Sequence, residues 1–431
     1  MIDVNSYLDN CYRGSKNPDL LKIKEFLKLY DSPEEKLKCI HIAGTNGKGS
    51  CTEMISNILE KQGYIVGKFI TPHLINYNER ISVNSVHITD EELEELILEL
   101  QPKMDEFAIS TGVKLSYFEI ITIIAFIYYA RKNVDFAVLE TGLGGTDDAT
   151  NVITNTLVSV ISSVDYDHTR ILGSTLTEIA TKKAGIIKPN SHTVVFEMKD
   201  EVMSVIKERC KKENNTLHVL TDKDISNYIY NEDYQYFDYT TLPNVSVNLK
   251  GIKQSINASM CIETINILNS SGYIVSNEAI YEGLKTVVHK ARMEKVSDFP
   301  EIYFDGAHNP PAMKNFVEMI DMYFKDKKRI YVVGILKRKD YEKMVKVLLQ
   351  DKDAEIILTS GIEGKKYATA QELYEVALKN SRGPNIKMMA LYEAIEYSFK
   401  QSLDTTSFIV GSFYTYGKVL NKIKEIKEKM S

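Results

Sequence analysis

Long uninterrupted apolar runs are missing from this 431-residue chain. The longest, Ile120 to Ala130, is broken by Thr122 and flanked by Glu119 and Arg131, too short to span a bilayer, so it reads as a core helix. The first ten residues, MIDVNSYLDN, lack both a basic n-region and an apolar h-region, and no export is expected. An excess of basic charge is missing too: the net charge of -6 and pI near 5.9 argue against a nucleic-acid surface as the main business. The five cysteines (Cys11, Cys39, Cys51, Cys210 and Cys261) form no CxxC and are odd in number, which fits reduced thiols in a cytoplasm. There is no internal repeat and no low-complexity segment. What is present, 44% hydrophobic and 26% charged residues, fits a soluble globular enzyme of two or three domains.

The most informative stretch is IHIAGTNGKGS at 40–50. Ile40 and Ile42 read as a buried strand that ends where the glycines begin. Gly44, Gly47 and Gly49 leave the backbone bare, so successive N–H groups can converge on an anion, and Lys48 adds a mobile positive charge. Met54, Ile55, Ile58 and Leu59 follow at helical spacing, which opens the loop onto a helix N-terminus suited to phosphate. The pattern is a short GxxGKx[ST] rather than GxxxxGK[ST], because Ile42 and Gly49 stand where the longer form needs Gly and Ser or Thr. A nucleotide phosphate site at Thr45, Asn46, Gly47, Lys48, Gly49 and Ser50 is the expectation.

Around this loop, strand and helix alternate as in an open α/β sheet. A strand over 65–70 ends at Thr71-Pro72-His73, a strand over 134–139 ends at Glu140, and a strand over 157–162 runs into Asp165-Tyr166-Asp167-His168. All three polar groups then lie at carboxyl ends of strands, where such sheets bind ligands, and Glu140 beside a glycine turn suits a magnesium ligand. Thr89 to Leu100 reads as a capped acidic helix, and 176–186 as a helix carrying Lys182 and Lys183. Residues 228–249, rich in tyrosine and phenylalanine, read as an antiparallel ribbon attached to the sheet. Apolar periodicity fades over 290–300, which places the domain boundary there. Beyond it, strands near 302–304, 330–333, 355–358 and 407–410 alternate with helices as a smaller α/β layer.

With these residues in place, the chain resembles the folylpolyglutamate synthase and dihydrofolate synthase branch of the Mur ligase superfamily along nearly its whole length. The resemblance rests on HIAGTNGKGS at 41–50, TPHL and NERI within 71–81, SYFE at 116–119, LETGLGG and DATN within 139–151, DHT and LG within 167–173, KAGIIKP at 183–189, QSINA at 254–258, ARMEKV at 291–296, DGAHNP at 305–310 and GSFYTYGKV at 411–419. It implies an α/β fold: a P-loop-type, mostly parallel sheet domain over 1–295 that binds ATP, and a smaller Rossmann-like glutamate-ligase domain over 296–431. It implies ATP-dependent amide ligation, in which a carboxylate becomes an acyl phosphate that the amine of glutamate attacks. The acid is expected to be the γ-carboxylate of tetrahydrofolate or its polyglutamates, with dihydropteroate as a possible second acceptor.

The resemblance also assigns residues. One magnesium is held by Ser50 and Glu140, a second by Thr71, Glu140 and His168, and Lys183 is carbamylated beside it. Lys48 and the loop amides hold phosphates; Asn257, Arg292 and Asp305 contact ATP; His308 and Ser412 lie near the incoming glutamate. Closure about 290–300 is implied before chemistry, as is a cytoplasmic monomer. Thr71 replaces the commoner serine and keeps its hydroxyl, and four positions depart from the pattern in their chemistry. Thr146 and Asp147 stand where Arg-Leu is usual, Lys182 where Glu is usual, and Lys253 where His is usual. Two other readings stay open: a Mur-type ligase for a different acid and amino acid, and a nucleotide-binding homologue without ligase activity. Against the latter, Lys48, Glu140, His168, Lys183 and Asp305 are all present.

Overall fold

The structure, a computed structural model, describes residues 4–12, 20–231, 234–240, 242–362, 364, 366–380 and 385–430. These fall into two compact units, one built on residues up to Val287, the other on residues from Val288 onward together with Asn231 and Leu249–Ile252.

The first unit contains a sheet of eight described strands: β1 (Cys39–Ala43), β2 (Val66–Phe69), β3 (Ile81–Val83), β4 (Val86–His87), β5 (Phe136–Glu140), β6 (Thr156–Ile161), β7 (His192–Phe196) and β8 (Thr216–Leu220). Their order is β4-β3-β2-β5-β1-β6-β7-β8. Strands β2, β4 and β5 through β8 run parallel with β1, and β3, between β2 and β4 at one edge, runs antiparallel to them. Every residue of β1, β2 and β5 is buried, as expected of central strands in a parallel sheet covered on both faces. The register sets Phe69 opposite Leu139, Ile42 opposite Glu140 and Ala43 opposite Ile161. The carboxyl ends of β2, β5, β1 and β6 therefore emerge side by side.

The helix Tyr117–Arg131 is apolar nearly all round and lies in the core with Phe69, Ile81, Leu93 and Phe107. The acidic helix begins at the Thr89 cap as expected but runs to Thr111, through Pro102. One missing N–H is tolerated there because Phe107 anchors the continuation in the core. The tyrosine-rich segment does not attach to the main sheet. It forms its own antiparallel sheet of β9 (Ile225–Tyr230), β10 (Gln235–Tyr239) and β11 (Leu242–Val247), while β8, a strand the alternation did not reveal, occupies the edge of the main sheet.

The second unit is built on β12 (Glu294–Ser297), β13 (Glu301–Asp305), β14 (Lys328–Val333), β15 (Glu355–Leu358), β16 (Ile386–Met388) and β17 (Thr405–Val410), in the order β12-β13-β17-β14-β15-β16. All pairs are parallel except β12 with β13. Residues 288–295, expected to close the first domain, lie with the second unit because β12 pairs with β13. Strands β12 and β16 and the helix Leu391–Phe399 are too short to carry a periodic signal. No helix among the described residues is long and apolar enough to cross a membrane.

Candidate active site

The loop between β1 and the helix Lys48–Gln62 is held from below by β6. Ser162 Oγ donates to Asn46 O at 2.7 Å and Ser163 Oγ to the same oxygen at 2.9 Å, while Asn46 N donates back to Ser163 Oγ. Thr45 N donates to Ser163 O, and Thr45 Oγ1 exchanges hydrogen bonds with the backbone of Asp165. The fit leaves no room for side chains: a Cβ on Gly44 would lie 1.9 Å from Ser162 Oγ. Gly47 caps the helix at φ +87° with Asn257 Oδ1 2.7 Å from where its Cβ would stand. Asn257 is oriented by its own Nδ2 bond to Gln254 Oε1. The helix starts at Lys48, whose Nζ folds back to Gly44 O at 3.1 Å, and Ser50 is buried in its first turn.

Next to the loop, Thr71 N donates to Glu140 Oε2 at 3.0 Å, joining the ends of β2 and β5. Glu140 is buried. Arg80, which the sequence reading left without a role, donates from Nη1 to Thr71 Oγ1 and from Nε to His73 Nδ1, with its guanidinium 5.9 Å from the rings of Tyr77 and Tyr117.

Lys183 lies near the end of the helix Leu176–Ala184, only 3% exposed, and among the described residues its Nζ makes no hydrogen bond or ion pair. Burial holds its pKa well below the ordinary lysine value; Lys48 lowers it further, and Asp167 and Asp148 oppose the shift. The amine is therefore within electrostatic reach of Lys48 and of two carboxylates. Asp148 fixes the neighbouring glycine turn: it accepts from Leu143 N at 2.7 Å and from Thr150 N and Oγ1 at 3.1 and 2.6 Å. Thr150 Oγ1 in turn meets Nε2 of the fully buried His41 at 2.8 Å. His168 takes a left-handed backbone (φ +49°) beside Asp167, its side chain 38% exposed.

In the second unit, Asp305 ends β13 with one oxygen accepting from Met293 N at 3.0 Å and the other from Ala307 N at 2.8 Å. Burial raises its pKa, and Arg292 with these N–H groups offsets part of the rise. His308 Nδ1 lies 2.8 Å from Gly306 O; a carbonyl only accepts, so Nδ1 carries the proton. Ser412 is buried, its hydroxyl accepting from Tyr367 OH and Tyr414 N.

With this geometry in hand, comparison with known proteins is decisive. The Mur ligase middle domain matches residues 42–265, and the Mur ligase glutamate ligase domain matches residues 291–412. Dihydrofolate synthase/folylpolyglutamate synthase of Bacillus subtilis is 32% identical over 98% of this chain and 99% of its own length. The chain belongs to the folylpolyglutamate synthase/dihydrofolate synthase branch of the Mur ligases. The crystal structure of folylpolyglutamate synthase from Thermotoga maritima is 32% identical and superimposes with a TM-score of 0.84, over 98% of this chain and 96% of that one. A folylpolyglutamate synthase solved with AMPPCP and folate gives a TM-score of 0.83 at 27% identity, over 98% of each chain.

The donor set at the β2, β5, β1 and β6 ends fits the magnesium that a Mur ligase uses with ATP. Among the described residues no three His, Cys, Asp or Glu side chains cluster to hold a metal by themselves. Ser50, Thr71 and Glu140 offer hard oxygens with a single carboxylate, and His168 adds an imidazole. That is a weak cage alone and a suitable one for an ion whose remaining ligands are waters and substrate phosphate oxygens. Asp148, Ser162 and Ser163 are the supporting residues that motif reading did not single out. Asp148 was visible within DATN, but nothing in a sequence says which backbone N–H groups a carboxylate will collect.

Proposed function

We propose that this Mur ligase joins L-glutamate to the γ-carboxylate of tetrahydrofolate or its polyglutamates, with ATP consumed to ADP and phosphate, and that dihydropteroate serves as a second acceptor. The observation that carries the reading is the buried Lys183 amine within electrostatic reach of Lys48 of the glycine loop. A nucleotide-binding protein without chemistry has no use for an unpaired buried lysine, which costs stability.

Within this reading, Lys48 and the amides of Thr45 to Ser50 hold the phosphates and neutralise charge that develops as the γ-phosphoryl group moves to the acid. Magnesium, when bound through Ser50, Thr71, Glu140 and His168, supplies further charge neutralisation. Lys183 is carbamylated: burial favours the neutral amine over the ammonium, and the neutral amine is the form that adds carbon dioxide. The carbamate adds an anionic group to a set of proposed metal ligands in which Glu140 is otherwise the one carboxylate. Asn257, Arg292 and Asp305 contact ATP. His308, its Nδ1 committed to Gly306 O, presents Nε2 toward glutamate together with Ser412. The amine of glutamate displaces phosphate from the acyl phosphate and an amide remains. The division of the chain into an ATP-binding and a glutamate-ligase domain, a cytoplasmic location and a monomeric state belong to the same reading. Five cysteines without disulfides support the location.

The test is ADP release measured with tetrahydrofolate or dihydropteroate, each with and without glutamate. Turnover that requires glutamate and tetrahydrofolate establishes the reading, and the dihydropteroate arm decides between one activity and two. Absence of turnover with both acids, despite ATP binding, turns the assignment to another acid.

A further inference from the structure

Phe413 is half-buried at the start of the short turn Phe413–Thr415, directly after the buried Ser412. Its ring meets three parts of the second unit's ligand-facing segments. The Arg292 guanidinium carbon stands 4.7 Å from the ring centroid. The His308 imidazole centroid is 5.3 Å away at an interplanar angle of 56°. Gly306 lies against the ring edge so closely that a Cβ there would be 1.9 Å from Phe413 Cε1.

The surrounding backbone explains why such a support is needed. Arg292 sits between Ala291 at φ +56° and Met293 at φ +42°, two residues held in the left-handed region. The turn is fixed by Gly306 N donating to Ala291 O at 2.8 Å and by Asp305 accepting from Met293 N. These bonds fix the backbone and do not involve the Arg292 side chain. The imidazole of His308 is held at Nδ1 by Gly306 O. One flat aromatic surface restricts both: its negative face attracts the guanidinium, and the imidazole packs tilted against it.

We propose that Phe413 is a positioning residue of the ligase, a single ring that sets the Arg292 guanidinium for ATP and the His308 imidazole for glutamate. The proposal rests on the roles given above to Arg292 and His308. An aliphatic residue of similar volume would fill the space without the attractive face, and tyrosine would keep that face.

The experiment measures kcat and both KM values for wild type, Phe413→Leu, Phe413→Tyr, Arg292→Ala, His308→Ala and the double variant Arg292→Ala/Phe413→Leu, with thermal melts of each. Phe413→Leu is expected to raise the KM for ATP and the KM for glutamate by about three- to tenfold each, and Phe413→Tyr to restore both to within about twofold. In the double variant, Phe413→Leu is expected to leave the KM for ATP where Arg292→Ala put it and still raise the KM for glutamate. Unchanged KM values in Phe413→Leu, or an effect that Tyr fails to restore, overturn the proposal. So does a Phe413→Leu effect on ATP that adds in full to Arg292→Ala. If Arg292→Ala and His308→Ala themselves leave both KM values unchanged, the underlying role assignment fails instead. Should Phe413→Leu melt far below wild type, Phe413→Met replaces it with the same criteria.

Discussion

The Lys182 ammonium lies 2.6 Å from the Asp147 carboxylate. Three of the four departures from the family pattern thus form one local arrangement, since Thr146 also donates from N and Oγ1 to Lys182 O at 2.8 and 3.1 Å. The family pattern has a base after the glycines and an acid on the helix; here the acid follows the glycines and the base is on the helix. The charge brought in by Asp147 is balanced locally by Lys182. Both side chains are more than a third exposed. A double-mutant cycle of Asp147→Ala and Lys182→Ala is expected to give a coupling of about 0.2–1 kcal/mol in denaturant melts, with KM for the acid substrate changed by less than about twofold.

Lys183→Ala is expected to abolish glutamate-dependent ADP release and leave the Kd for ATP within about threefold of wild type. With carbon-13-labelled bicarbonate, the wild-type protein is expected to show a carbamate resonance that the variant lacks. Joint loss of nucleotide binding and activity would count against the role given to this lysine.

Gly44→Ala places a methyl group on Ser162 Oγ. Its affinity for ATP is expected to fall by about tenfold or more as the loop shifts. Adding Ser162→Gly removes the clashing hydroxyl and should recover part of the loss in calorimetric titrations, although the bond to Asn46 O goes with it.

His41 gives the fold an acid-sensitive point. Burial lowers its pKa to about 3, and Thr150 Oγ1 donates to Asp148, so the imidazole donates from Nε2 to Thr150 and has no use for a second proton. The unfolded chain binds that proton near the ordinary value of about 6.5, so the stabilising contribution is complete above that pH. It is lost as pH falls toward 3, about 2 kcal/mol of it by pH 5. The variant His41→Gln keeps a donor without a titrating ring. Its unfolding free energy is expected to decline less steeply than that of wild type between pH 7 and 5.

Much of this was legible in the chain itself. The glycines and Lys48 after a β-branched strand announced the loop between β1 and the helix Lys48–Gln62, because a bare backbone lets the chain turn sharply between strand and helix. Thr71, Glu140 and His168 stood out because each follows a predicted strand. Elements below the length of a periodic signal were not legible: β12, β16 and the edge strand β8 needed their partners to exist.

The sequence alone determined the family, the order of its elements and which residue types stand at the strand ends, since these depend on local pattern and motif. Only the tertiary structure decided that Lys182 answers Asp147, that Asp148 collects the N–H of Leu143 while sitting near Lys183, and that one ring, Phe413, lies under both Arg292 and His308. Each of these joins residues from separate parts of the chain. Burial, pKa and hydrogen-bond partners arise from where the packed sheet and its loops bring distant segments, and no local pattern records that distance.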